Sequence, residues 1–332
     1  MERQEKISII IPVHNGQDYL AACVGSINAQ ENVGCALEII IINSGSTDHT
    51  KEVCQKLQKK NDNIIVIAKE DIGVSQARNI GINEATGDYL MFCDADDRLQ
   101  PGMLAHLYKL AKETDSDITG CGFFIWSDER EYARGAQNQS ESEVTSFTGN
   151  EYVSVGILTN DTRCWGKLYR SLSVGERRFA EDLTIGEDML FLLEVTKETA
   201  KVTISKRQGY AYFQNPHGAM LRPFQESYMD QITCWQRVRA HIQQIRPDLE
   251  ARATASQIRA ILLTVGKIAV LSAEGRKHYR PQIDQCSQQL KGALKVPGAF
   301  AGLERVYRIK ARVFAFSPGL YVRLYNIWKK KK

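Results

Sequence analysis

The stretch Gly87-Asp88-Tyr89-Leu90-Met91-Phe92-Cys93-Asp94-Ala95-Asp96-Asp97-Arg98-Leu99-Gln100-Pro101 decides how the rest of the 332 residues is read. Tyr89 to Cys93 is a short apolar run with the length and composition of a buried strand. It stops at three carboxylates within four residues, and a Pro then precedes the helix-compatible run Met103 to Leu110. Alone, this is a polar loop in which Asp97 or a neighbour caps the next helix. In an alternating α/β chain it is something more. Carboxylates at the C-terminal edge of a strand stand where open parallel sheets bind ligands. Asp94 and Asp96, two apart on a strand that is ending, can turn toward one hard cation.

The flanking sequence supplies that alternation. Ile7–Pro12, Leu37–Ile42 and Ile64–Ala68 are continuous apolar runs and predict buried strands. Helices are expected between them. One runs from a cap at Asp18 to about Ala29, with Leu20, Val24 and Ile27 on one face. One carries Val53 and Leu57 inward, and one opens at Gly73–Gly81. Strand and helix alternating four times predict a doubly wound, mainly parallel α/β sheet. No Gly-x-Gly-x-x-Gly follows the first strand and no Gly-x-x-x-x-Gly-Lys occurs, which disfavours the usual dinucleotide fold and a P-loop. Further on, Asp117–Trp126 predicts another strand. The polar stretch Ser127–Ser146 predicts a surface loop or hairpin, and Asn150–Leu158 a short helix. Val202–Ile204 and Tyr210–Phe213 predict two short strands closing the sheet. From about Phe224 long helical segments take over, at Tyr228–Ile245, Ala251–Ser272 and Pro281–Leu294. The expected division is therefore 1–223 and a helical region 224–332.

Eight scattered cysteines with no Cys-x-x-Cys pair read as free thiols in a reducing compartment, not a disulfide frame or a zinc site. The charged start runs straight into Ile7–Ile11, so no signal peptide is expected. No apolar run is long enough to span a bilayer. A cytoplasmic protein follows as the expectation. Charge is uneven: the net +4 resolves into +8 from Phe300 onward, with nine Lys/Arg against Glu304, and −4 over residues 1–299. In that tail Tyr307, Phe314, Phe316, Tyr321, Tyr325 and Trp328 interleave with the cations, and Ser317-Pro318-Gly319 breaks it into two short amphipathic pieces. The pattern suits an anionic membrane surface at the inner face of the plasma membrane, or else a helix packed on the protein with a frayed Lys end. No nucleic-acid recognition motif accompanies it.

Several strand ends carry a polar turn: Pro12-Val13-His14-Asn15, Asn43-Ser44-Gly45-Ser46-Thr47-Asp48 and Asp94-Ala95-Asp96-Asp97. Gly73-Val74-Ser75-Gln76-Ala77-Arg78-Asn79-Ile80-Gly81 adds an Arg and an Asn. Acceptors and backbone groups suit a base and ribose, an Arg suits phosphate, and carboxylates suit a metal. In combination these turns, with Trp165-Gly166-Lys167-Leu168-Tyr169 and Gly186-Glu187-Asp188, resemble the family 2 glycosyltransferases of the GT-A fold, of the bacterial polysaccharide-biosynthesis type. The match is dense over residues 7 to about 101 and thins to islands through about 213.

The resemblance implies an inverting sugar transfer from a nucleotide-diphosphate donor, assisted by Mg²⁺ or Mn²⁺. It places Pro12, Val13, Asn15, Asn43, Ser44, Arg78, Asp94 and Ala95 by the nucleotide, and Asp94 and Asp96 on the cation. It places Asp97, Trp165, Lys167 and Glu187 by the donor sugar or acceptor. Asp188 matches the base that takes the acceptor proton. Asp188 also reads as an N-cap for a helix from Met189, Arg78 as a surface Arg, and Trp165 as core. His217 is either a third metal ligand or a solvated loop residue. Relatives carry two acids where this chain has Asn43 and Ser44, and Ser44 accepts a hydrogen bond from a base ring more weakly than a carboxylate. UDP remains the expected nucleotide, with a glycan or lipid-linked acceptor. Two other readings compete. A sugar nucleotidyltransferase would want a Gly-rich loop with Arg and Lys where Val13-His14-Asn15-Gly16-Gln17 stands. A non-catalytic sugar- or nucleotide-binding relative is at odds with Asp94, Asp96 and Asp188 all being present.

Overall fold

The computed structural model describes residues 4–137, 143–216, 218 and 222–330. One sheet of nine strands organises the first part. The strands are β1 Lys6–Val13, β2 Ala36–Ser44, β3 Ile64–Lys69, β4 Tyr89–Phe92, β5 Arg98–Leu99, β6 Ile118–Trp126, β7 Val144–Phe147, β8 Lys167–Arg170 and β9 Val202–Phe213. They lie in the order β3-β2-β1-β4-β8-β6-β9-β5, with β7 also on β9. The Ile runs explain the first half. Ile9, Ile10, Ile11, Ile39, Ile40 and Ile41 are all fully buried, as residues covered by helices on both faces must be. β3, β2, β1 and β4 are parallel, in registers such as Ile10 with Ile40 and Ile9 with Met91. The C-terminal ends of β1, β2 and β4 therefore lie side by side, and their polar turns meet.

One glycine fixes how closely a helix approaches this sheet. A Cβ on Gly81, in the helix Gly73–Glu84, would lie 2.3 Å from Ile10 Cγ2. Any side chain there would push the helix, and Arg78 with it, off β1. Beyond β4 the sheet turns mixed: β8 is antiparallel to β4 and β6, while β6 and β9 run parallel.

The structure departs from the sequence expectation in four places. Val202–Phe213 is one strand, with register shifts against β6 near Gly122. The stretch read as a polar loop holds a helix, Glu129–Gln137, and the strand β7. Asp18 does not cap the first helix, Leu20–Asn28; Tyr19 occupies that position without a side-chain bond. Asp97 does not cap the helix Met103–Thr114, which starts after a left-handed Gly102.

Two compact units emerge: residues 1–157 with 161–218, and residues 158–160 with 219–332. The second is helical, with helices at Asp230–Ile245, Glu250–Ala269, Ala273–His278, Arg280–Ala293, Arg305–Phe316 and Pro318–Lys330. Its axis is Glu250–Ala269, buried along most of its length. The last helix packs closely on it at Gly266, where a Cβ would meet the Tyr325 ring at 2.9 Å. Among the described residues no helix is long and apolar enough to cross a membrane.

Candidate active site

The turns after β1 and β2 are bonded into one platform. Asn15, held at φ +53°, donates its N–H to Ser46 Oγ at 2.9 Å, and its Oδ1 accepts from the Thr47 N–H at 2.8 Å. His14 Nδ1 lies 2.6 Å from the Ser44 carbonyl. Asn43 and Ser44 are buried. Asn43 Oδ1 accepts from the Ser46 N–H, and Ser44 Oγ accepts from the Ile72 N–H at 3.0 Å. Ser44 thus spends acceptor capacity on its own scaffold. Gly45 is at φ +61° with Asp71 against it, a conformation and a space that exclude a side chain. Pro12 and Val13 are the buried end of β1.

Arg78 is the hub. It is no surface residue: its side chain is 4% exposed. Nη1 donates to Asp188 Oδ1 at 2.6 Å and to Glu187 Oε1 at 3.1 Å, and Nη2 donates to Asp94 Oδ1 at 2.9 Å. A planar fork reaches the three carboxylates from two nitrogens held apart, which the single nitrogen of an ammonium does not do. Burial opposes the Arg78 charge, but Asp188, Asp94 and Glu187 together hold it firmly protonated. Asp188 also accepts the Cys164 N–H through Oδ2 at 3.3 Å. It is not a helix cap. The helix begins at Glu187, after Gly186 at φ +97°, and no side chain caps it. Both acids therefore lie in the first turn, where the helix end favours negative charge. Burial, then the neighbouring Asp188, push the Glu187 carboxyl up to about 7, with Arg78 opposing.

The acidic loop divides as follows. Asp94 is partly exposed and faces Arg78; burial raises its carboxyl above the usual value, Arg78 pulls it back, and Asp188 and Asp96 push it up again. Asp96 Oδ2 accepts from Asn215 Nδ2 at 3.0 Å. Asp97 is fully buried, accepting from Tyr210 OH at 2.6 Å and from the Phe213 N–H at 2.7 Å. Expected beside a sugar, Asp97 instead ties the loop to β9. Ala95 is buried between them.

Trp165 and Lys167 are also turned inward. Trp165 is stacked on Tyr210 and Tyr212, with ring centroids at 4.4 and 5.3 Å. Lys167 Nζ donates to Asp161 Oδ1 at 2.8 Å and to the Arg163 carbonyl at 2.9 Å. Trp165 is therefore core, and the buried Lys167 is ion-paired with Asp161. Glu187 is buried as well. His217 lies outside the described residues. Asn79, next to Arg78, pins the segment before the acids: its Oδ1 accepts the Phe179 N–H and its Nδ2 donates to Glu181. Asn215, Tyr210 and the Cys164 amide are contacts of these acids that no motif announced.

Three carboxylates, Asp94, Glu187 and Asp188, surround one guanidinium, and Asp96 and Asp97 follow Asp94 in the same loop. That excess of negative charge and the all-oxygen donor set fit a hard divalent cation at Asp94 and Asp96. Among the described residues no group of three or more His, Cys, Asp or Glu side chains is placed to hold a metal alone. Other ligands would have to come from a bound diphosphate and water.

Comparison with known proteins bears on the family and the fold. The family model described as glycosyl transferase family 2 matches residues 8–173. Glycosyltransferase GlyA of Streptococcus pneumoniae is 30% identical over 237 residues, which is 68% of this chain but 33% of that protein. Among solved structures, Staphylococcus aureus TarS 1–349 in complex with UDP superposes with a TM-score of 0.69 at 20% identity, covering 98% of this chain and 92% of that one. The mannosyltransferase PcManGT of Pyrobaculum calidifontis, in complex with GDP-Man and Mn²⁺, gives 0.50 at 14% identity, covering 99% and 89%. The fold is thus the GT-A fold, extended by a helical C-terminal region.

Proposed function

Because the chain belongs to glycosyl transferase family 2, we propose that it moves a sugar from a UDP-sugar donor to a hydroxyl of a glycan or lipid-linked acceptor in surface-polysaccharide assembly, with inversion at the anomeric carbon. The observation that carries this reading is the single Arg78 guanidinium joining Asp94, at the end of β4, to Asp188 and Glu187. Inverting transfer needs a diphosphate-binding acid on one side of the anomeric carbon and a base on the other. The UDP complex of TarS supports a uridine donor, and the Mn²⁺ complex of PcManGT supports a cation.

The geometry supports the following roles. Mg²⁺ or Mn²⁺, held by Asp94 and Asp96, would offset the negative charge that grows on the departing diphosphate. The paired turns at Asn15, Asn43 and Ser44 form the floor for the nucleoside. Asp188, bonded to Arg78, takes the acceptor proton as the acceptor oxygen bonds to the anomeric carbon and the bond to the β-phosphate breaks. Glu187, buried and bonded to Arg78, sets the position of Asp188. Asp97, Trp165 and Lys167 hold the walls.

A thermal-shift screen of UDP-, GDP- and dTDP-sugars with and without Mn²⁺ tests this. A cation-dependent rise with UDP-sugars is expected. No shift with any nucleotide would overturn the reading in favour of a binding module.

A further inference from the structure

The two closing helices of the C-terminal unit carry more apolar surface than their core uses. In Pro318–Lys330, Tyr321 and Val322 are buried. On the outside, Leu320, Leu324, Ile327 and Trp328 recur at i, i+4, i+7 and i+8, the spacing of one helix face, and each is between 41% and 50% exposed. Arg305–Phe316 repeats the arrangement. Ala311 and Phe314 face inward, while Val306, Ile309 and Phe316 are exposed, the last at 86%. The two helices lie together, since Lys310 Nζ stands over the Tyr325 and Trp328 rings at 5.4 and 5.6 Å.

Cations rim this surface: Arg305, Arg308, Arg312, Arg323 and Lys329 are all exposed. A cleft of about 260 Å³ opens at the start of the last helix, lined by Arg276, Lys277 and Arg280 against Pro318, Gly319 and Val322. Arg280 shares its charge with Asp284, and Arg276 donates to the Leu271 carbonyl. An exposed apolar stripe in water is a liability unless something covers it. The +8 balance from Phe300 onward identifies the cover as anionic, and apolar side chains with Trp, Tyr, Lys and Arg around them are the composition of an interfacial helix. With no described helix able to cross a bilayer, such a surface lies on the membrane and does not span it.

We propose that the outer face of residues 305–330 docks in the plane of an anionic phospholipid surface. Leu320, Leu324, Ile327 and Trp328 enter the acyl boundary, and the cleft at Arg276 and Lys277 takes a lipid phosphate. The inference is independent of the sugar-transfer reading.

Flotation of the full chain with vesicles of phosphatidylcholine, with and without phosphatidylglycerol, tests it. The chain should float with phosphatidylglycerol vesicles, release at high salt, and stay behind with phosphatidylcholine alone. Leu324→Ser with Ile327→Ser, and separately Arg276→Glu with Lys277→Glu, should each lower the bound fraction by roughly tenfold or more. Circular dichroism confirms that each variant is folded. Should the cleft variant fail to fold, Arg323→Glu with Lys329→Glu replaces it, with the same expectation. Equal partitioning to both vesicle types, undiminished flotation of the stripe variant, or a dimer that the stripe variant dissociates on size-exclusion chromatography would each overturn the proposal.

Discussion

Arg78 Nη1 stands 2.6 Å from Asp188 Oδ1, across 110 positions of sequence, and the same guanidinium holds Asp94. The acid at the end of β4 and the acid in the first turn of the helix Glu187–Thr196 are thus set by one rigid plane. A shift of Arg78 moves both.

Arg78→Lys keeps a charge but loses the fork. One nitrogen does not hold Asp94 and Asp188 at the separation that Nη1 and Nη2 set, so sugar-transfer turnover is expected to fall by roughly a hundredfold, from misplacement of these groups. Arg78→Ala leaves buried carboxylates uncompensated and should cost about 3–5 kcal/mol in urea unfolding. A Lys variant with wild-type turnover would contradict the clamp.

Asp188→Asn preserves the Cys164 contact and the helix start but cannot accept a proton. Turnover should drop by about 10²–10⁴, with UDP affinity unchanged by calorimetry. Weakened UDP binding would instead place Asp188 on the donor.

Asp96→Ala should abolish transfer and leave the melting temperature near wild type, because the side-chain bond of Asp96 among the described residues is the one to Asn215. The dependence of UDP binding on Mn²⁺ should vanish with it. Near-normal turnover would refute a direct role on the cation.

Tyr210→Phe removes the hydroxyl that satisfies Asp97 and keeps the ring against Trp165. A buried carboxyl oxygen left without its donor costs about 1–3 kcal/mol, measurable by urea denaturation. An unchanged midpoint would show that Asp97 is held by the Phe213 amide alone.

Glu187 sets a pH signature. Its carboxyl rises from an ordinary 4.5 to about 7 on folding, so between those values the folded state holds a proton that the unfolded state has lost. Stability must therefore fall as pH rises through that window, by about 1.4 kcal/mol per unit at most, and level off above it. Glu187→Gln should flatten the slope between pH 5 and 7. A slope that survives the substitution would assign it to another group.

The fold was legible because the Ile runs of β1 and β2 are continuous, and continuous apolar runs between helices leave little choice but a buried parallel sheet. β9 was read as two fragments because Lys206, Arg207, Gln208 and Gly209 interrupt its pattern; pairing with β6 carries the backbone across them. The helix Glu129–Gln137 hid for a related reason. Its anchor to the sheet is Tyr132, which meets Phe124 and Trp126, too sparse a signal in a polar stretch. In the site, Arg78, Asp94 and Asp188 stood out by motif, but the Arg78–Asp188 contact joins residues more than a hundred apart and no local pattern encodes it. Asp97, Trp165 and Lys167 were placed by sugar because their types suit sugar. Tyr210 and Tyr212, two apart on one face of β9, turn Asp97 and Trp165 inward, and Asp161 claims Lys167.

The bonds at Asp96 and Asp97 set a limit on how this protein can be cut and recombined. The family match ends at residue 173, yet Tyr210, Phe213 and Asn215, which hold the acidic loop, and Glu187 and Asp188, which complete the clamp, all come later. A chimera that exchanged only the matching segment would pair one protein's acidic loop with another's supports. The smallest transplantable piece therefore reaches at least to Gly218, where the first compact unit closes.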